Sequence, residues 1–215
     1  MEHEFWHNKW EIKQTGFHLN YVHPILKRHM GLFKQQQKVF VPLCGKTLDI
    51  GYLLDQGNSV VAAELSEIAI AELFQQLNLN PTISIWKQGK KYQAEKLTVY
   101  AGDFFELDAQ DIGAISWVYD RAAIVALPED MRVKYAQHLM AITNKVPQLL
   151  LTLDYDQNIA GGPPFAVSGE EVTQHYNEVY SIELLEEADI IEEEPRFKAK
   201  GLSSFYQRAY HLTLK

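Results

Sequence analysis

The sequence contains a single cysteine, Cys44, in 215 residues. One thiol cannot form a disulfide within the chain or supply a multi-cysteine metal site, so the composition predicts a reducing, cytoplasmic environment. The first residues have neither the basic segment nor the apolar core of a signal peptide, and no uncharged apolar run approaches the ~20 residues of a membrane span. We therefore expect neither export nor insertion into a membrane.

Basic residues are also scarce in this chain. Twenty Lys and Arg stand against 28 Asp and Glu, which gives a formal net charge of −8. Such a chain lacks the positive electrostatic field that attracts the phosphate backbone of a nucleic acid, so nucleic acid is not an expected partner. Apolar residues make up 47% of the sequence and no linker divides it. We expect one monomeric domain over residues 1–215, in which residues 1–37 cap the ligand edge.

Apolar runs of strand length alternate with segments of helical periodicity, and this alternation predicts a doubly wound α/β fold with a mostly parallel sheet. The five runs are residues 39–41, 60–63, 97–100, 115–119 and 149–153. Three helix starts are expected after Ser66, at Pro128 and after Ser168. The first of these helices is predicted to bury an apolar face that includes Ile68.

Two further features predict antiparallel strands. Residues 180–185 and 205–214 have no clear helix between them, which favours an antiparallel pair at one edge of the sheet. Residues 83–86 and 91–94 are compatible with an extra hairpin around Gly89.

The residues just after each parallel strand are the first candidates for a site, because ligands of open α/β sheets bind beyond the carboxyl ends of the strands. The first run is followed by Pro-Leu-Cys-Gly-Lys-Thr at 42–47, in which Gly45 allows the backbone to approach a ligand. A Walker A loop would need glycine at the position of Phe40, so the Gly-Lys-Thr triplet is weak evidence for a phosphate site. An ordinary strand-to-helix turn is the alternative.

Carboxylates follow the next two runs. Glu64 lies 19 residues after Gly45, at the position where dinucleotide-binding folds place an acid for the ribose hydroxyls. A solvated acid at a helix start is the alternative interpretation. Asp103 offers a carboxylate to an amino donor, and Phe104 and Phe105 offer aromatic faces to a purine, although such phenylalanines are more often core residues.

The fourth run ends in Asp120 and Arg121, an acid and a base at the predicted rim. The guanidinium fork of arginine suits a carboxylate or another anion, and an internal ion pair is a nearly equal alternative. Asp120 is a weaker candidate for orienting an acceptor. Pro-Pro-Phe at 163–165 is either a stiff apolar lip above the same edge or a plain connector.

The N-terminal segment is rich in aromatic residues, which either pack on the core or cover a ligand: Phe5, Trp6, Trp10 and Phe17. A cationic ligand would favour the covering role, because aromatic faces attract cations. The histidines of the same segment have no recognisable metal-ligand spacing, so no metal is expected.

Six motifs occur in a fixed order along the chain: Phe-Trp-His-Asn-Lys-Trp at 5–10, Gly-Phe-His at 16–18, Val-Pro-Leu-Cys-Gly-Lys at 41–46, Glu-Leu-Ser at 64–66, Tyr-Asp-Arg-Ala-Ala at 119–123 and Gly-Pro-Pro-Phe at 162–165. In this combination the sequence closely resembles the thiopurine S-methyltransferases over nearly its whole length. The resemblance implies methyl transfer from S-adenosyl-L-methionine to a sulfur or selenium nucleophile. It also implies the Rossmann-like class I methyltransferase fold, with seven strands in the order 3-2-1-4-5-7-6.

The resemblance also implies where the ligands bind. It places cofactor contacts at Trp10, with Trp6 beside it, and at Leu43, Glu64 and Arg121. Asp103 and Phe104 are cofactor-binding candidates from their position after the third run. Phe17 would face the methyl donor and the acceptor, which makes it the substrate-binding candidate. Asp103 stands where animal members of the family have a serine.

No catalytic residue is expected, because a sulfonium methyl group is already activated and a thiol that ionises near neutrality needs no dedicated base. Alignment in a dry pocket would then supply most of the catalysis. The main alternative is a methyltransferase of the same fold that acts on selenium or tellurium oxyanions, halide or thiocyanate. A nucleotide-binding regulator and a catalytically silent interaction domain are alternatives of other classes.

Overall fold

The computed structural model describes residues 3–34 and 36–215. The chain divides into two compact units, one that ends at Trp117 and one that runs from Val118 to Lys215. Each unit is described in turn. The expectation of one domain over residues 1–215 stays a prediction.

The first unit contains five strands: β1 (Lys38–Val41), β2 (Ser59–Glu64), β3 (Thr82–Trp86), β4 (Gly89–Ala94) and β5 (Leu97–Ala101). Their order is β3-β4-β5-β2-β1. Strands β1, β2 and β5 are parallel, and β3 and β4 form an antiparallel hairpin that continues onto β5. The predicted parallel strands and the hairpin are confirmed, and β5-β2-β1 corresponds to the 3-2-1 half of the expected order.

Helices connect these strands and precede the first of them: α1 (His3–Glu11), α2 (Pro24–Arg28), α3 (Leu48–Asp55), α4 (Glu67–Gln76) and α5 (Ala109–Ile112). The Ser66 hydroxyl accepts a hydrogen bond from the Ala69 N–H at 3.3 Å, which confirms the predicted start of α4. The apolar face of α4 is narrower than predicted. Ile68 is 41% exposed, because it follows the N-cap by only two residues and lies at the edge of the buried stripe.

The second unit contains the strands β6 (Trp117–Arg121), β7 (Gln148–Asp154), β8 (Tyr180–Asp189) and β9 (Tyr206–Leu214). Their order is β6-β7-β9-β8, in which β6 and β7 are parallel and β9 is antiparallel to both of its neighbours. This corresponds to the 4-5-7-6 half of the expected order, and it confirms the antiparallel pair.

The helices of the second unit are α6 (Glu129–Ile142), α7 (Gly169–Tyr176) and α8 (Pro195–Ala199). Pro128 and Ser168 stand at the N-caps of α6 and α7, as predicted. The expectation of no helix between β8 and β9 is wrong, since α8 forms there. Its single turn is too short to give a periodic pattern, and it is held by burial of Phe197 against aromatic neighbours.

In the part of the chain that the structure describes, no helix combines the length and the apolar character needed to cross a membrane.

Candidate functional site

The carboxyl ends of β1, β2 and β5 meet at one edge of the first unit. The Cys44 N–H donates to the Ala63 carbonyl at 2.9 Å, and the Gly102 N–H donates to the Glu64 carbonyl at 3.0 Å. These backbone bonds continue the parallel pairing past the strands into their loops. The loop after β1, the end of β2 and the loop after β5 are therefore adjacent, as the sequence predicts.

Glu64 is the central polar side chain of this edge. Its Oε2 accepts from the Gly45 N–H at 2.7 Å and its Oε1 accepts from the Ser66 N–H at 2.8 Å. The residue is only 7% exposed. Burial raises the pKa of the Glu64 carboxyl, and the Ser66 and Gly45 N–H groups oppose that shift. A carboxylate has about four acceptor positions, so the bonds from the Ser66, Gly45 and Leu65 N–H groups leave capacity for a further donor.

The loop after β1 has an unusual backbone. Leu43 has a φ of 45° and Gly45 a φ of 53°, both in the left-handed region. Such a conformation is costly for leucine, and strained residues of this kind are typical of ligand-binding sites. At Gly45 there is also a steric reason for glycine, since a Cβ there would lie 3.1 Å from Cζ2 of Trp10.

Helix α1 therefore packs on the loop after β1. The expected covering of a ligand by its aromatic residues stays a prediction. Trp10 is buried at 4% exposure and forms an edge contact with Phe17, with ring centroids 5.5 Å apart. Trp6 forms a similar contact with Phe17 at 5.6 Å. The Lys46 Nζ lies 5.9 Å from the centroid of the Trp10 ring. The three aromatic site candidates of the N-terminal segment thus form one cluster beside the β1 loop.

Asp103 lies at the rim of the same edge. Its Oδ1 accepts from the Phe105 N–H at 2.9 Å, and its Oδ2 lies 3.2 Å from Nε2 of His3 on α1. Phe104 is 2% exposed and stacks on Phe40 with centroids 6.3 Å apart. Its purine contact stays a prediction, and its ring is part of the core packing in this structure.

The Gly-Lys-Thr triplet has structural roles in this loop. The Lys46 Nζ forms an ion pair with Oε2 of Glu72 on α4 at 2.6 Å. The Thr47 hydroxyl accepts from the Asp49 N–H and caps α3. Both contacts are structural, and neither supports a phosphate site at the triplet. Sequence reasoning did not find Glu72 or His3 as neighbours of the site, because neither has a local pattern that indicates its distant partner.

In the second unit, β6 ends at Asp120 and Arg121. Asp120 is 0% exposed, and its carboxyl accepts from the Tyr135 hydroxyl at 2.7 Å and from the Ile124 N–H at 3.3 Å. Burial raises the pKa of Asp120 to about 6, and the hydrogen bonds oppose that shift. The side chain is fully buried, so direct contact with an acceptor is not supported. Arg121 is half-buried at the last position of the strand.

The contact between Gly45 and Trp10 leads to a testable prediction. We expect Gly45→Ala to destabilise the protein by about 1–2 kcal/mol, because alanine is strained in the left-handed region, and to displace the Trp10 ring. Urea unfolding followed by tryptophan fluorescence measures both effects.

Gly31→Ala is the matched control, since an added Cβ there meets nothing within 4 Å and Gly31 is not among the glycines of positive φ. Equal stability of the two variants would contradict the prediction.

Residues 1–215 match the family described as Thiopurine S-methyltransferase (TPMT). The chain is 46% identical over 187 residues to a thiopurine S-methyltransferase of Teredinibacter turnerae, which covers 86% of this chain and 87% of that protein. It is 41% identical over 214 residues to a thiopurine S-methyltransferase of Pseudomonas fluorescens, which covers 99% of each.

A solved structure shares the fold. The 1,6-didemethyltoxoflavin-N1-methyltransferase of Burkholderia thailandensis, solved with 1,6-didemethyltoxoflavin and S-adenosylhomocysteine bound, matches with a TM-score of 0.63 and 16% identity. The match covers 98% of this chain and 87% of that chain.

Proposed function

The chain belongs to the thiopurine S-methyltransferase family, and we propose that it methylates the sulfur of thiopurines or of other aromatic and heterocyclic thiols. The family membership makes it an S-adenosyl-L-methionine-dependent methyltransferase of the class I fold. The thiol acceptor is the part that we propose. The family and the relatives named thiopurine S-methyltransferase support this acceptor, and the buried Glu64 carboxylate at the shared edge of β1 and β2 supports the site of the methyl donor.

The residues at this edge fit S-adenosyl-L-methionine. Glu64 retains acceptor capacity toward the ribose hydroxyls beside its three backbone N–H donors. Gly45 has no side chain, so the backbone of the loop is open to a close approach. When bound, the cofactor supplies a methyl group on a positively charged sulfur. The cluster of Trp6, Trp10 and Phe17 suits that charge, because aromatic faces attract cations and exclude water.

We assign the remaining roles by position. Leu43 and Trp10 contact the cofactor from the β1 loop and from α1, and Trp6 supports Trp10. Asp103 and the backbone at Phe104 contact the adenine. Arg121 contacts the cofactor from the end of β6, and Phe17 faces the acceptor. The acceptor is a small molecule, consistent with the family name.

A thiol acceptor requires no general base at this edge. Both oxygens of Glu64 already accept hydrogen bonds from the backbone N–H groups of Gly45 and Ser66. A thiol that ionises near neutral pH does not require a base to remove its proton. The chain's own residues then bind, align and desolvate the two reactants, and such alignment contributes about 7 kcal/mol or more.

The acceptor can be tested with radiolabelled methyl donor. We expect transfer to 6-mercaptopurine and to thiophenol, no transfer to the matched oxygen compounds hypoxanthine and phenol, and a rate that rises with pH as the thiol ionises. Selenite, tellurite, thiocyanate and iodide are assayed in parallel. Methylation of these inorganic acceptors without any methylation of the two thiols would contradict the proposal and support the alternative acceptor class.

A further inference from the structure

A buried carboxyl group lies directly before Arg121. Asp120 has no exposed surface, and two elements of the second unit donate hydrogen bonds to it. The Tyr135 hydroxyl, from the middle of α6, donates to Oδ2 at 2.7 Å. The Ile124 N–H, from the turn that follows β6, donates to Oδ1 at 3.3 Å. The carboxyl group therefore joins the turn to α6.

The turn that Asp120 holds has a strained backbone. Ala122 has a φ of 66°, in the left-handed region that residues with a Cβ rarely adopt. The Ala123 N–H also bonds to the Asp120 carboxyl, and a short 3-10 helix begins at Ile124. A strained turn persists only where its surroundings determine it. Asp120 provides that restraint by binding two successive N–H groups just after the strained residue.

We propose that Asp120 is a positioning residue for cofactor binding, which fixes the turn after β6 and thereby the placement of Arg121. The proposal rests on the proposed function, in which Arg121 contacts the cofactor. Tyr135 acts one step further away, because its hydroxyl fixes the orientation of the Asp120 carboxyl. Asp120 itself does not touch the ligands, so its effect on binding is transmitted through Arg121.

A double-mutant cycle tests this coupling. Binding of S-adenosylhomocysteine is measured by calorimetry for the wild type, Asp120→Asn, Arg121→Ala and the double variant. We expect Asp120→Asn to weaken binding about tenfold and Arg121→Ala at least as much. The double variant should bind no more weakly than Arg121→Ala alone. Asparagine keeps the size and one acceptor oxygen of aspartate, so the variant is expected to fold, and Asp120→Ala should lose more affinity.

Two tyrosine variants separate positioning from general packing. Tyr135→Phe removes the donor to Asp120 and should weaken binding in the same direction. Tyr180→Phe is the matched control, because the Tyr180 hydroxyl donates to the Val146 carbonyl at 3.0 Å in the same unit and is not part of the turn. Tyr180→Phe should leave the affinity unchanged. Asp120→Asn should also raise KM for the methyl donor more than it lowers kcat.

The pH profile gives an independent readout. Burial raises the pKa of Asp120 to about 6, and N–H donors bind the ionised carboxylate more strongly than the protonated acid. The affinity of the wild type should therefore fall below about pH 6, and Asp120→Asn should lack that part of the fall. Tyr135 and Tyr176 are the titratable groups that face Asp120, and burial raises the pKa of both, so they stay neutral over this range.

The outcomes distinguish the two proposals. Additive losses in the double variant, or wild-type affinity in Asp120→Asn, would overturn the positioning role and leave the proposed function intact. Wild-type affinity in Arg121→Ala would overturn the positioning role as well. If Glu64→Ala also binds S-adenosylhomocysteine like the wild type, the cofactor assignment itself fails.

Discussion

Replacing Glu64 with alanine is expected to weaken the binding of S-adenosylmethionine by about 10- to 100-fold, since hydrogen bonds to a charged group contribute about 1.5–3 kcal/mol and each 1.4 kcal/mol is a factor of ten. The variant lacks the carboxylate that we propose binds the ribose hydroxyls. It also leaves the Gly45 N–H without the carboxylate oxygen that accepts from it at 2.7 Å in the wild type. Calorimetric titration with S-adenosylmethionine measures the loss.

Two further variants separate the causes of that loss. Glu64→Gln keeps one acceptor oxygen and the size of the side chain, so it should retain part of the loop support and lose affinity for the hydroxyls. Glu67→Ala is the matched control, because Glu67 is an exposed residue at the start of α4 that forms its ion pair with Lys90 of β4. Wild-type affinity in folded Glu64→Ala would return Glu64 to the role of a structural acid.

The same carboxyl group should affect stability in a pH-dependent way. Burial raises the pKa of Glu64 in the folded protein, so ionisation costs more in the folded than in the unfolded state. The contribution of this group to stability is then largest below the unfolded pKa and is lost as the pH rises through the raised folded value. Glutamine does not ionise. The stability of Glu64→Gln relative to the wild type should therefore increase with pH.

The position of Glu64 could be predicted from local information. A strand of continuous apolar residues ends at this acid, and the spacing from Gly45 corresponds to one helix, its two connections and strand β2. Parallel pairing then brings the strand ends together without any knowledge of side-chain contacts. The Gly45 N–H donor to the carboxylate is not predictable in this way, because it depends on the left-handed turn at Leu43 and Gly45.

Contacts between residues that are distant along the chain are harder to predict from the sequence. The ion pair of Lys46 with Glu72 and the contact of His3 with Asp103 join elements that are far apart in sequence. The sequence places Asp120 beside Arg121 at the rim of the sheet and makes it a weak candidate for orienting an acceptor. Its buried position follows from the packing of Tyr135 on α6, and a pattern of single residues does not encode that packing.

The elements of the fold, like the residues of the site, are predictable where the signal is local along the chain. Long apolar runs and helix caps identified the parallel strands and the starts of α4, α6 and α7. The single-turn helix α8 has too few residues for a period to be visible. Its stability comes from the contact of Phe197 with Phe205, whose centroids are 4.5 Å apart, and this contact exists only after the chain has folded.

Helix α1 depends on Trp10, and the second large effect is expected there. The helix has nine residues, which is below the ~12–15 residues at which isolated helices become marginally stable in water. Trp10 is the buried residue of α1, and its ring covers Gly45. Removal of a buried tryptophan costs about 3–5 kcal/mol. We expect Trp10→Ala to release α1 from the β1 loop.

Hydrogen exchange is the direct measurement of that release. Amide exchange in residues 3–11 should rise at least tenfold in Trp10→Ala, whereas exchange in β1 and β2 should stay near the wild-type rate, because their pairing does not involve α1. Trp6→Ala is the control for loss of an indole from the same helix, since Trp6 is only half-buried and should give the smaller effect.

The same hydrogen-exchange measurement with bound ligand tests whether the packing of α1 contributes to function. S-adenosylhomocysteine should slow exchange in residues 3–11 of the wild type, because a ligand that contacts α1 in its docked position stabilises that position by mass action. Trp10→Ala should show less of this protection, a lower affinity for the ligand and a lower turnover of the thiol substrate. Equal exchange with and without ligand, together with wild-type turnover in Trp10→Ala, would show that the aromatic cluster only packs against the loop. Protection that persists in Trp6→Ala and is lost in Trp10→Ala would assign the contact to the one indole that lies over Gly45.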